Sequence, residues 1–130
     1  MNRIIIAGSR GINNYSLLEQ AIAESNFKID EVVCGEAKGV DELGRIWATK
    51  HEVPIASFPA KWNDLTELPL KIKYNKYGRP YNALSGHNRN KRMAEYATHL
   101  ILVHFNTPGS LNMLKLAKEY GLTIYEKIVS

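Results

Sequence analysis

Apolar residues along this chain follow two rhythms. Short β-branched runs that end on glycine or a polar turn read as buried strands; apolar positions three and four apart read as helices. The first rhythm gives strands over Arg3–Ala7, Glu31–Cys34, Ile55–Phe58, His99–Phe105 and Thr123–Val129. The second gives four helices. One runs from Ser16 to about Asn26, with Ser16 and Glu19 as a capping box and Leu17, Leu18, Ala21 and Ile22 on its apolar face. The next covers Asp41–His51, with Leu43, Ile46 and Trp47 at helical spacing. A third starts at Gly86 or His87 and ends at Ala97, with Met93, Tyr96, Ala97 and Leu100 as its stripe. The last spans Ser110–Tyr120 and stops at Gly121. Strands that alternate with helices predict an α/β domain with a parallel sheet covered on both faces.

The rhythm breaks between Pro59 and Ser85. A structureless loop of that length is unusual in a compact domain. Leu70–Tyr74 and Arg79–Asn82, around Asn75–Gly78, are expected to pair as an inserted hairpin. This insertion, at about 59–85, is either a flap carrying Trp62, Tyr74, Tyr77 and Tyr81 beside a ligand crevice or a cover for a sheet edge.

Length and composition narrow the picture. With 130 residues, 45% of them apolar, the chain is expected to be a single domain, 1–130, with its own core. A single Cys34 forms no internal disulfide and points to a reducing, cytoplasmic setting. No apolar run approaches the roughly 18 residues of a membrane span, and no signal-peptide pattern opens the chain. The net charge of +4 favours an anionic partner. The excess gathers at Lys71, Lys73, Lys76, Arg79, Arg89, Lys91 and Arg92, of which Lys91 and Arg92 read as solvated.

Three strand-to-helix turns carry the candidate chemistry: Gly8-Ser9-Arg10-Gly11, then Gly35-Glu36-Ala37-Lys38-Gly39-Val40-Asp41, then Pro108-Gly109-Ser110. Glycine lets backbone amides come close to an anion, and free N–H groups at a helix start stabilise phosphate by about 0.3–2 kcal/mol. Arginine adds a two-pronged grip. Each turn alone is also what an ordinary βα connection looks like; three at one sheet edge make a phosphate site. Asp41 either favours its helix N-terminus or contacts ribose or a water. Glu36 accepts from ribose, balances Lys38 or acts as an acid/base. In Gly86–Met93 a helix start offers Asn88, Arg89 and Asn90, with Arg89 on the face of Met93. Of the four histidines only His87 falls near this site. There is no H-E-x-x-H or C-x-x-C spacing, no P-loop and no G-x-S-x-G elbow, so neither a metal nor a cofactor is expected.

Taken in order, IIIAGSR at 4–10, CGEAKGVDELG at 34–44, WA at 47–48, YNALSG at 81–86, RNKRMAEYA at 89–97 and GSLNM at 109–113 resemble the YspA/YpsA-related branch of the SLOG superfamily, common in bacteria and phages. The resemblance implies a Rossmann-like three-layer fold, a strand order of 3-2-1-4-5 for the five main strands, and a crevice for a nucleotide or nucleotide-derived ligand where the order reverses. It also implies frequent homodimers; Leu68, Leu70 and Ile72 are candidates for an apolar contact. Within the superfamily, the cytokinin-activating phosphoribohydrolases pair an Arg-Lys helix motif with G-T-x-x-E. Arg89 matches that arginine, Asn90 stands in place of the lysine, Gly109 and Ser110 match the glycine and threonine, and Met113 replaces the glutamate. A thioether neither acts as a base nor stabilises an oxocarbenium ion, so hydrolysis needs Glu36 or Asp41 as a substitute. The superfamily also resembles the DNA-processing protein DprA, which binds single-stranded DNA.

The leading expectation is a nucleotide-binding domain acting as sensor, carrier or sequestering protein. Gly8, Ser9, Gly35, Gly39, Gly109 and Ser110 cradle phosphate, with Asn90 beside them. Arg10 and Arg89 neutralise it, Asp41 or Asn112 meets ribose, and Trp62 or Tyr81 stacks on the base. The first alternative is a nucleotide N-glycosidase using Arg89, Glu36 and Asp41. The second is single-stranded nucleic-acid binding through the basic, tyrosine-bearing insertion.

Overall fold

The computed structural model describes residues 1–129. The elements are β1 (Arg3–Gly8), α1 (Tyr15–Ser25), β2 (Glu31–Cys34), α2 (Val40–Lys50), β3 (Ile55–Ser57), β4 (Ile72–Tyr74), β5 (Pro80–Asn82), α3 (Ser85–Tyr96), β6 (His99–His104), α4 (Pro108–Glu119) and β7 (Thr123–Ile128). The main sheet is five-stranded in the order β3-β2-β1-β6-β7, and each neighbouring pair is parallel. With the hairpin strands set aside, this is the expected 3-2-1-4-5 order. β4 and β5 form a separate antiparallel pair, with Lys73 opposite Tyr81.

Alternation along the central strands sends side chains to two cores. Ile4, Ile6, Val32, Ile101 and Val103 pack with Leu18, Ala21, Val40, Leu43 and Ala48 of α1 and α2. Ile5, Ala7, Val33, Leu100 and Leu102 pack with Met93 and Ala94 of α3, Ala97 at its C-terminal cap, and Met113 and Ala117 of α4. Burying a Leu or Ile side chain contributes about 1.5–3 kcal/mol, so the central strands anchor the domain.

Several local expectations are corrected. The first helix is capped by Asn14, whose side chain accepts from the Leu17 amide at 3.3 Å, and not by Ser16. An Asn carbonyl one residue before the helix reaches that orphan donor, while Ser16 already lies inside the first turn. Ile46 points outward at 40% exposure, because Gly44 and Ala48 take the inner face of α2. α4 starts at Pro108, whose missing N–H costs nothing at that position. Arg92 is only partly exposed: it pairs with Glu67 and fastens the insertion to α3.

The insertion is stapled to the domain by buried polar groups. The Asn82 carbonyl accepts from the Lys71 and Leu84 amides at 3.1 and 3.0 Å, and its amide donates to the Glu67 and Pro69 carbonyls. Ser85 donates to the Lys61 carbonyl at 3.0 Å and Asn88 to Pro69 at 3.1 Å. Every one of these groups would cost free energy if buried without a partner. The YNALSG and RNKRM stretches therefore do structural work beside any ligand role.

Candidate functional site

β1 and β6 lie side by side, and the chain leaves them toward opposite faces of the sheet. A crevice opens at such a switch point, outside the carboxyl ends of the strands. Here it is a cavity of about 310 Å³. That size falls in the range of about 300–1,000 Å³ typical of small-ligand pockets. All three glycine turns reach it: Gly8 and Arg10 from the first, Ala37 and Asp41 from the second, and Thr107 to Ser110 from the third. Arg89, Asn90 and Met93 of α3 and Met113 of α4 complete the wall.

The first and third turns are joined by hydroxyls. Ser9 Oγ lies 2.8 Å from Thr107 Oγ1, which lies 2.9 Å from Ser110 Oγ. Ser9 also accepts from the Phe105 amide at 3.2 Å. Ser9 is thus almost fully buried behind the wall, with its hydroxyl engaged by the protein. Thr107 was not singled out in the sequence, although a Thr-Pro pair at a helix start is an N-cap signal. Its side chain makes no capping bond; it serves the Ser9–Ser110 link instead. The first intrahelical bond of α4 runs from Leu111 to Thr107, which leaves the Gly109 and Ser110 amides as the open donors of that helix end.

The polar centre is formed by Arg89 and Asp41. Arg89 Nε donates to Asn90 Oδ1 at 2.9 Å, and Asn90 donates to Asn112 Oδ1 at 2.9 Å. Arg89 Nη1 donates to the Gly35 carbonyl. These bonds hold the guanidinium in one orientation and leave Nη2 without a protein partner among the described residues. Asn112 acts through this relay and does not line the cavity. Asp41 is 5% exposed. Burial pushes its carboxyl up to about 6, against the opposing pull of Arg89, the Ala37 and Gly8 amides, and Arg10. Burial also draws the Arg89 guanidinium down, with Asp41 opposing it.

Space forbids a side chain at Gly8 and at Gly39, where φ is 77° and a Cβ would lie 2.5 Å from the Ser9 carbonyl oxygen. A Cβ at Gly8 would lie 1.8 Å from the Val103 carbonyl oxygen, so at this position β1 lies against β6 only as glycine. At Gly35 a Cβ would lie 2.7 Å from Asp41 Oδ2 and 2.8 Å from Arg89 Nη1. Gly35 and Gly39 shape the second turn from behind and do not line the cavity.

Other expected site residues lie elsewhere. Glu36 pairs with Arg45, accepts from Ser57 at 2.8 Å and faces a separate hollow of about 200 Å³ beside Cys34 and Lys38. Its partner is Arg45 and not Lys38. Burial pushes the Cys34 thiol up to about 11, which keeps it protonated. His87 is exposed and outside the cavity wall. Trp62 and Tyr81 meet edge to face, 6.4 Å apart, and line no part of the cavity. Trp62 stands at its margin: a Cβ at Gly86 would lie 3.4 Å from the indole and 4.0 Å from Arg89 Nη2. Phe105, 44% exposed and packed beside Gly11, is an aromatic on the opposite margin that sequence reading missed. Among the described residues no cluster of His, Cys, Asp and Glu is arranged to hold a metal, and no helix is long and apolar enough to cross a membrane.

Residues 2–64 match the family model of YAcAr, described as the YspA, cpYpsA-related SLOG family. No curated protein matches the chain. The X-ray structure of DNA processing protein A (DprA) from Streptococcus pneumoniae has the same fold. It aligns with a TM-score of 0.73 at 19% identity, covering 100% of this chain and 51% of DprA. The chain therefore spans about half the length of that protein. The match over residues 2–64, which holds the first two glycine turns, agrees with the SLOG resemblance that the ordered motifs carry, and the likeness to DprA shows the Rossmann-like fold.

Proposed function

We propose that the cavity binds a nucleotide or nucleotide-derived ligand, as a sensor, carrier or sequestering domain. The observation that carries this reading is the pairing of an open helix N-terminus with two arginines around one hollow. Phosphate sits over the Gly109 and Ser110 amides, where the α4 dipole favours an anion. Arg10 and the free Nη2 of Arg89 neutralise it. Ala7, Met93 and Met113 supply an apolar wall. Ser9, Gly35, Gly39 and Asn112 act by positioning these groups. The SLOG relationship supports a nucleotide-related ligand. Isothermal titration with AMP, NAD, ADP-ribose and cyclic nucleotides tests the reading. Heat with at least one of them, lost in Arg89→Ala, is expected. No heat with any of them in folded protein contradicts it.

A second reading, N-glycosidic bond cleavage, is favoured by one observation. Asp41 is a buried carboxyl facing Arg89 inside the cavity, held near the pH at which an acid/base works. Met113 in the wall weighs against it, and Glu36 is turned away. Release of free base from a nucleoside monophosphate, abolished by Asp41→Asn, supports this chemistry. No base after long incubation at high protein concentration removes it.

A further inference from the structure

The stretch from 68 to 94 contains no Asp or Glu. Within it, the β4–β5 hairpin carries Lys71, Lys73, Lys76 and Arg79, and residues 71–80 are all exposed. None of the four cations enters an ion pair among the described residues. A cluster of unpaired cations on a two-stranded hairpin repels itself.

The register orders this charge. Lys73 is opposite Tyr81, and Asn75 donates to the Arg79 carbonyl, so Lys71, Lys73, Arg79 and Tyr81 share one face. Tyr81 continues edge-on into Trp62, which is 41% exposed at the margin of the cavity. At the turn, Lys76 Nζ lies 5.2 Å from the ring centre of Tyr77, itself 76% exposed. Cations alternate with accessible aromatic rings along the hairpin.

We propose that the hairpin and Trp62 form a docking face for a single-stranded nucleic acid. Its phosphates pair with Lys71, Lys73, Lys76 and Arg79, and its unstacked bases lie on Trp62, Tyr81 and Tyr77. Duplexes hide the base faces that these rings would meet, which selects a single strand. The charge is spread along a strand rather than converging on a point, which suits a polymer backbone. The proposal is independent of the ligand in the cavity, because none of these residues lines it.

Fluorescence anisotropy with labelled oligothymidylate and oligouridylate tests the proposal, in a Trp47→Phe background that leaves Trp62 as the single indole. Inorganic polyphosphate and phosphatidylserine vesicles serve as base-free polyanions. Expected are oligonucleotide binding with a slope of about −3 in log K against log salt, from four phosphate contacts, and quenching of Trp62. Lys73→Ala/Arg79→Ala should halve that slope and weaken low-salt binding by roughly tenfold, while nucleoside monophosphate binding, read by calorimetry, stays unchanged. Binding of DNA, RNA or both supports the face, and their ratio reports the sugar preference. No binding at low salt overturns it. So does polyphosphate or vesicle binding as tight as the oligonucleotides, or binding without quenching.

Discussion

Asp41 and Arg89 face each other across Gly35, from the first turn of α2 and the first turns of α3. The carboxylate is buried, and the guanidinium is pinned by Asn90 and the Gly35 carbonyl. Opposite charges from two helices thus flank Gly35 at the cavity wall without forming an ion pair among the described residues, and the residue between them has no side chain.

Gly35→Ala tests that juxtaposition. The new methyl meets the ends of two side chains, which yield, so the fold should survive with a loss of about 1 kcal/mol. Ligand affinity should fall at least roughly tenfold, because the guanidinium moves. Gly8→Ala is the contrast: its methyl meets a backbone carbonyl inside the sheet, and the cost should reach about 3 kcal/mol or more. Thermal melts and calorimetry on the two variants separate these effects.

Asp41 also predicts a pH dependence. Its carboxyl is raised from 3.8 to about 6 in the folded protein, mainly by burial. A folded state that holds this proton more tightly than the unfolded chain is favoured at low pH. The contribution declines as pH rises from about 4 to about 6 and is flat above. Relative to Asp41→Asn, which does not titrate, wild-type stability should fall by on the order of 3 kcal/mol across that window. Urea unfolding of both proteins at several pH values measures it; parallel curves would show that Asp41 keeps an ordinary pKa.

The insertion depends on Asn82, whose four hydrogen bonds lie at 0% exposure. Asn82→Ala leaves the Lys71 and Leu84 amides without their acceptor and should cost about 2–3 kcal/mol. Trypsin should then cut between Lys61 and Arg79 several times faster than in wild type, with the cleavage sites read by mass spectrometry. Unchanged cleavage would mean that Arg92–Glu67, Ser85 and Asn88 suffice.

His104 holds the loop before α4 from inside. It is fully buried, its Nδ1 accepts from the Asn106 amide at 3.0 Å, and its Nε2 lies 2.6 Å from Glu126 Oε2. The first bond fixes the tautomer, so Nε2 is the donor to Glu126. His104→Phe should lose about 2–3 kcal/mol, because it leaves the Asn106 amide unpaired. Glu126→Gln, at a partly exposed position, should lose less than about 1 kcal/mol. Equal losses by chemical denaturation would contradict this division.

The strand order was legible because IIIA and LILV are apolar on both faces and the ordered motifs implied the topology. The three turns were legible as glycine-bearing strand-to-helix junctions, a pattern an ordinary βα connection shares, and their meeting at one sheet edge followed from the strand order. Individual roles were less so. Ser9 and Thr107 follow from a hydroxyl link between residues 98 apart in sequence, which no local pattern carries. Glu36 turned away because Arg45, nine residues on along α2, reaches it. Asn88 reads as a polar residue of the site, whereas its partner is the Pro69 carbonyl of an irregular loop.

In the proposed function an anionic nucleotide sits between the start of α4 and the two arginines. Amide-resolved NMR titration with a nucleoside monophosphate tests it most directly. The largest shifts are expected at Gly109, Ser110, Arg10 and Gly35, with the Arg89 side-chain Nε–H moving as well. Shifts confined to the hairpin, or to the hollow beside Glu36 and Arg45, would contradict it.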